Sequence, residues 1–261
     1  MATLFQVIVF STLGSLFSLA GGFLLLANKK NATKFADYAT PFAAGALLAA
    51  AFVDLLPEAI EETSVDMALR GALFGIILFF ILERFLHWFH HHHEHEDGEP
   101  HSRDSNISLI IIGDTVHNFI DGAAIAAAFL VSFPTGLVTT LAVAAHEIPQ
   151  EIGDFGLLLK RGLSRKNVIL ANILSALATT VSATVFFLIG QNTEIRIDIL
   201  LAISAGFFIY IAASDLIPSI HDNHHTENNR QNNNLASQQT ALLLIGVAAV
   251  SLATIWLHKL I

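Results

Sequence analysis

Two neighbouring apolar stretches, Ile107–Val131 and Pro134–Leu159, each carry acid and imidazole groups at their middle, and that placement narrows the folds open to this chain. The first holds His117-Asn118-Phe119-Ile120-Asp121-Gly122 and the second His146-Glu147-Ile148-Pro149-Gln150-Glu151-Ile152-Gly153-Asp154. About 20 apolar residues at helical rise span roughly 30 Å of hydrocarbon, so each stretch is long enough to cross a bilayer and would hold these groups at its midplane. An ionisable side chain at such a helix centre costs roughly 2.5–3.5 kcal/mol and is retained only where it lines a cavity or binds something. Asp114, Asp121, Glu147, Glu151 and Asp154 gather here, while no Lys or Arg occurs between Arg103 and Lys160. Protonation or an external cation must balance them, and two histidines in the same place favour a metal ion.

The rest of the chain agrees with a membrane setting. Its 261 residues are 54% hydrophobic and only 13% charged, with a mean hydropathy of +0.62, which is too apolar for an ordinary soluble domain. We expect an all-α polytopic membrane protein whose lipid partner is the bilayer itself, forming one transmembrane domain over residues 1–261. The first apolar segment lacks a basic lead and a small-residue cleavage site, so it is expected to be retained as a helix. With no cysteine, thiolate ligands are excluded, which argues against soft ions such as Cu(I). A net charge of −9 leaves no footprint for nucleic acid.

Windowed hydrophobicity predicts eight transmembrane helices: Phe5–Ala27, Phe35–Pro57, Met67–Trp88, Ile107–Val131, Pro134–Leu159, Asn167–Gly190, Ile195–Pro218 and Thr240–Lys259. Loops rich in Lys and Arg stay in the cytoplasm. With the N-terminus outside, the inward side holds Lys29, Lys30, Lys34, Arg84, Arg103, Lys160, Arg161, Arg165, Lys166 and Arg230, against only Arg70, Arg196 and Lys259 outward. This bias predicts both termini outside a plasma (inner) membrane. A homodimer stays open as an assembly.

An internal echo points to a carrier. Ala44-Gly45, Ala51, Asp54, Leu55 and Pro57 on the second helix recur at one fixed offset as Ala205-Gly206, Ala212, Asp215, Leu216 and Pro218 on the seventh. An odd number of crossings separates the two, so helices 1–3 and 6–8 would form inverted repeats around helices 4 and 5, with substrate near the midplane. Asp54 with Glu58 would then mark the outer mouth and Asp215 the inner one. The plainer alternative is that Asp and Pro simply end apolar helices.

At 100° per residue, Asp114, His117, Asn118 and Asp121 share a face within about 100°, and His146, Glu147, Gln150, Glu151 and Asp154 occupy about 140° of the next helix. The short connection at Ser132–Phe133 makes these helices antiparallel neighbours, so the faces can meet. Imidazole, carboxylate and amide oxygen together suit Zn²⁺, Fe²⁺, Mn²⁺ or Co²⁺, and the surplus negative charge could hold two ions. Pro149 leaves the carbonyl of Ala145 without its helical donor beside His146. The polar loop 87–106, with His90, His91, His92, His93 and His95, and the second polar loop 219–239, with His221, His224 and His225, read either as capture sites for divalent ions on the cytoplasmic side or as solvated polar loops.

His-Asn-Phe-Ile-Asp-Gly resembles the fourth-helix motif of the ZIP divalent-metal transporters. His-Glu-Ile-Pro-Gln-Glu-Ile-Gly-Asp is similar to the fifth-helix signature His-Glu-x-Pro-His-Glu-x-Gly-Asp of that family's LIV-1 branch. The resemblance implies uptake of Zn²⁺ or a related ion into the cytoplasm through a binuclear site, with ligands at His117, Asn118, Asp121, His146, Glu147 and Gln150, and Glu151 beside them. Gln150 departs from the signature, which has a second His there, so one ion position would bind less tightly or favour harder ions. The family also draws a ligand from its sixth helix, where this chain offers Asn172 and Ser175. Asp54, Glu58, Asp114, Asp154 and Asp215 would complete the pathway.

Two other functions use the same groups. A membrane-embedded zinc-dependent hydrolase would need a second His at the position of Gln150 to complete His-Glu-x-x-His. A metal sensor without transport would need the loops but not the midplane groups. The expected function is therefore transport of a divalent metal ion, zinc first, and no catalysis.

Overall fold

The computed structural model describes residues 2–92, 101–192, 196–222 and 229–259. Among them all regular structure is helical, in eight successive rods: α1 Leu4–Ala27, α2 Lys29–Glu62, α3 Val65–His92, α4 His101–Val131, α5 Phe133–Lys160, α6 Arg165–Asn192, α7 Ile197–His221 and α8 Asn229–His258. Six of these rods, α1, α2, α3, α6, α7 and α8, contain spans long and apolar enough to cross a membrane. The other two are α4 and α5, whose central acid, amide and imidazole groups lower their hydropathy.

Local signals place the rod ends. Thr3 and Gln6 form a reciprocal capping box at the start of α1. The Asn31 N–H donates to the Asn28 side chain at the start of α2, and the Thr135 N–H donates to Ser132 Oγ at the start of α5. That Ser132 cap compresses the α4–α5 connection to one residue between Val131 and Phe133. Gly162, at φ +99°, ends α5: its N–H reaches the Leu159 carbonyl while Leu163 N–H reaches that of Leu158, satisfying carbonyls the helix leaves open.

Helix α4 packs mainly against α6, α2 against α8, and α3 against α7, while α1 lies against both α5 and α6. The contacts are close because small residues sit in them. A Cβ on Gly45 of α2 would run into the Leu243 carbonyl of α8, and one on Gly206 of α7 would run into the Ala72 carbonyl of α3.

Both α2 and α7 widen to π geometry, at Ala50–Leu55 and Ile211–Leu216, where the Leu56 N–H bonds the Ala51 carbonyl and the Ile217 N–H bonds that of Ala212. Each widened turn lies directly before a proline, Pro57 or Pro218. Proline crowds the carbonyl four residues back and offers no N–H, and the wider turn relieves both. The helices therefore continue beyond these prolines, to Glu62 and His221. Asp-Leu-x-Pro here widens a helix and does not end it.

Candidate metal centre

The centre forms where α4 and α5 lie side by side, with α5 unbroken through Pro149. On α4, a four-residue step puts His117 above Asp121; on α5, His146 and Glu147 are consecutive. These four residues each offer one ligand atom, and the four atoms lie within 4.8 Å of one another. His117 Nε2 is 3.2 Å from His146 Nε2 and 3.4 Å from Glu147 Oε1. Asp121 Oδ2 is 3.3 Å from His146 Nε2 and 3.7 Å from His117 Nε2, and His146 Nε2 is 3.8 Å from Glu147 Oε1.

Those separations identify the chemistry the group can perform. Ligands about 2.0 Å from a tetrahedral ion stand roughly 3.3 Å from each other. Four donors already near that spacing, two imidazole nitrogens and two carboxylate oxygens, suit a borderline divalent ion. The His146 Nδ1–H faces the Ala142 carbonyl at 3.4 Å, the tautomer that leaves Nε2 with its lone pair toward the centre. His146, Asp121 and Glu147 are fully buried, whereas the His117 side chain keeps 13% of its surface exposed. Asp121 Oδ2 and both Glu147 oxygens have no hydrogen-bond partner among the described residues. Buried carboxylate oxygens without donors are costly unless a cation answers them.

Other residues of the two motifs have different surroundings. Asn118 is buried against α6: its amide donates to the Asp114 carboxylate at 2.9 Å and to Ser175 Oγ at 3.4 Å, and its oxygen accepts from Thr179 at 2.8 Å. Among the described residues, neither oxygen of the buried Glu151 is hydrogen-bonded, nor is the buried side-chain oxygen of Asn172 on α6. Gln150 is half-buried and lines a cavity that His117 lines as well.

That cavity, about 570 Å³, is lined by His117, Asp114, Gln150, Asp154, Glu83 and Asp215 among others. It joins the edge of His117 to the exposed Asp215. Asp54 has the opposite environment, 1% exposed with neither oxygen hydrogen-bonded among the described residues, and Glu58 is half-buried. His221 is exposed at the end of α7. The side chains of His90, His91 and His92 and all of His93, His95, His224 and His225 lie outside the described residues.

Three residues around the site escaped sequence reasoning. Thr179 holds Asn118, and Thr40 lines the cavity; neither bears a charge to betray it. Glu83 accepts a 2.6 Å hydrogen bond from Tyr210 and faces the same cavity. A lone carboxylate in an apolar helix was the signal that could have found it.

With this geometry in view, comparison with known proteins is decisive. The family model described as ZIP Zinc transporter matches residues 3–108 and 92–254. The chain belongs to the ZIP zinc transporter family. Zinc transporter ZIP6 of Homo sapiens is 34% identical over 175 residues, 66% of this chain and 23% of its own length. Zinc transporter ZIP4 of Mus musculus is 46% identical over 112 residues, 43% of this chain and 17% of its own. Zinc transporter ZIP10 of Homo sapiens is 33% identical over 184 residues, 67% of this chain and 22% of its own. These three are LIV-1 members, in agreement with the fifth-helix motif. The chain thus spans about a quarter, or less, of the length of these ZIP relatives. The relatives are named as transporters and not as enzymes.

Proposed function

We propose that this chain moves a divalent transition metal ion, zinc ahead of iron, manganese or cobalt, across a plasma membrane into the cytoplasm. The ion passes through the centre of His117, Asp121, His146 and Glu147. The observation that carries this reading is the near-tetrahedral set of buried donors, with no protein cation beside it in sequence from Arg103 to Lys160. The relatives' name, zinc transporter, supports zinc as the cargo. Glu151, buried and without a hydrogen bond among the described residues, supports a second ion position shared with Asn118 and Gln150.

The direction rests on charge and on exposure. Lys29, Lys30, Lys34, Lys160, Arg161, Arg165 and Lys166 flank the start of α2, the end of α5 and the start of α6, and positive residues stay inside. The cavity lies toward that same end of α2 and α5, at Thr40 and Asp154, and so opens inward.

Inverted repeats account for the rest. The π turns of α2 and α7 occupy equivalent places, and Gly45 meets α8 as Gly206 meets α3. Equivalent carboxylates then have opposite exposure: Asp54 is sealed and Asp215 is open. That difference is what alternating access requires of a carrier caught facing inward. Asp54 and Glu58 would admit the ion once the outer side opens, and Asp114, Asp154 and Asp215 would pass it to the cytoplasm. Any ligand that carries a proton at its donor atom must shed it to bind metal, so ion entry is coupled to proton release.

Radiolabelled zinc uptake into proteoliposomes tests this, with iron, manganese and cobalt as competitors. Wild-type protein should accumulate zinc, and His146→Ala and Glu147→Ala should lose at least nine-tenths of the rate, on the order of a missing ligand's effect. Wild-type flux in both variants would overturn the assignment of the centre.

A further inference from the structure

The ligands sit on α4 and α5, but the surface pressed against their imidazoles comes from α3 and α7. The ring of Phe79, on α3, stands edge-on to His117 with centroids 5.9 Å apart and planes at 86°. The ring of Phe208, on α7, lies 6.4 Å from that of His146. Phe79 is held in turn by Phe207 at 5.4 Å and Tyr210 at 5.3 Å, and Tyr210 is fixed by its 2.6 Å hydrogen bond to Glu83.

The position of Phe79 is particular. Of the four ligand residues, only His117 lines the inward cavity; Phe79 lines it too, beside His117, as does Glu83. Asp121, His146 and Glu147 are closed off from solvent. An ion leaving the centre for this cavity must therefore pass the edge of His117, where the Phe79 ring is seated.

We infer that Phe79, seated by Tyr210 and its bond to Glu83, is the release-side gate of the metal centre. Its ring covers the exit edge of His117 and slows departure of the ion without ligating it. Release then requires the ring to move off His117, and the Tyr210–Glu83 bond sets how readily it does so. This rests on the ion occupying the proposed four-ligand centre.

The test uses full-length protein in nanodiscs loaded with Co²⁺, whose visible absorption reports a tetrahedral nitrogen and oxygen shell. Excess EDTA then triggers release in a stopped-flow cell. Phe79→Ala should speed release about three- to tenfold, the size of a lost aromatic contact. Phe79→Leu, which restores apolar bulk, should return the rate to within about twofold of wild type. Tyr210→Phe keeps every ring and removes the hydroxyl that bonds Glu83, together with its contact to Ser214; it should also speed release, by about two- to threefold. The Co²⁺ band shape should be unchanged in all of them, and Phe133→Ala, at the distant α4–α5 turn, should release at the wild-type rate.

Equal rates in wild type and Phe79→Ala, or in wild type and Tyr210→Phe should Phe79→Ala fail to fold, would overturn the gate while leaving the centre intact. An altered band in Phe79→Ala, or equally fast release from Phe133→Ala, would overturn it too, as ligand distortion or general loosening. A wild-type protein that takes up no Co²⁺ would overturn the centre and the gate together.

Discussion

Removing His146 and removing Gln150 should have very different effects, although both stand in the fifth-helix motif. The four donors of the centre are separated by 3.2 to 3.8 Å where a distance is defined, close enough to the roughly 3.3 Å tetrahedral edge that all four can bind one ion together. Four-ligand zinc sites bind with roughly 10–16 kcal/mol, which apportions to roughly 2.5–4 kcal/mol for each ligand. His146→Ala should therefore raise the zinc Kd by about two to three decades. In the proposed centre Gln150 is not a donor to the first ion but lines the adjoining cavity, so Gln150→Ala should change the Kd for that ion by no more than about threefold. Competition with a fluorescent zinc chelator, on monodisperse protein in detergent at fixed pH, measures both. If Gln150→Ala weakens the first ion as much as His146→Ala does, or if His146→Ala leaves Kd within threefold, the four-residue centre is the wrong one.

Other consequences follow from the same structure. Acidification should weaken zinc binding, because metal and protons compete for the nitrogens of His117 and His146 and the oxygens of Asp121 and Glu147. Kd should rise at least about tenfold from pH 7.5 to 5.5, and a flat profile would contradict ligation by these groups. Asp54→Asn replaces a buried carboxyl that has no hydrogen-bond partner among the described residues, so it should raise thermal stability by about 1–3 kcal/mol while slowing uptake; a lower Tm would contradict this. Gly45→Ala would press a methyl into the Leu243 carbonyl and should cost about 1–3 kcal/mol in the same melt. Gly153→Ala, with nothing within 4 Å of the new carbon, should be neutral or stabilising by up to about 1 kcal/mol.

Much of this protein was legible residue by residue. Apolar runs of spanning length announced the helices, since a bilayer leaves the backbone few other ways to satisfy its hydrogen bonds. The spacing of His117 to Asp121 on one helix face, and His146 next to Glu147 on the helix that follows a short connection, made a metal centre readable, because helical periodicity fixes which side chains share a face. The cost of burying unpaired carboxylates told why they must be answered by a cation.

What a one-dimensional pattern cannot carry is which neighbour each face meets. Asn118 and Glu147 look equivalent as motif members, yet packing against α6 gives Asn118 the partners Thr179 and Ser175, while Glu147 is left with open oxygens beside two imidazoles. Asp54 and Asp215 share one local sequence, but only the arrangement of α2 and α7 among the other helices buries the first and exposes the second. Phe79 is one apolar residue among many in α3 until α4 places His117 against its ring. Periodicity and burial cost are properties of the chain itself; contact between helices distant in sequence is decided by how their surfaces fit, and that exists only once the bundle has closed.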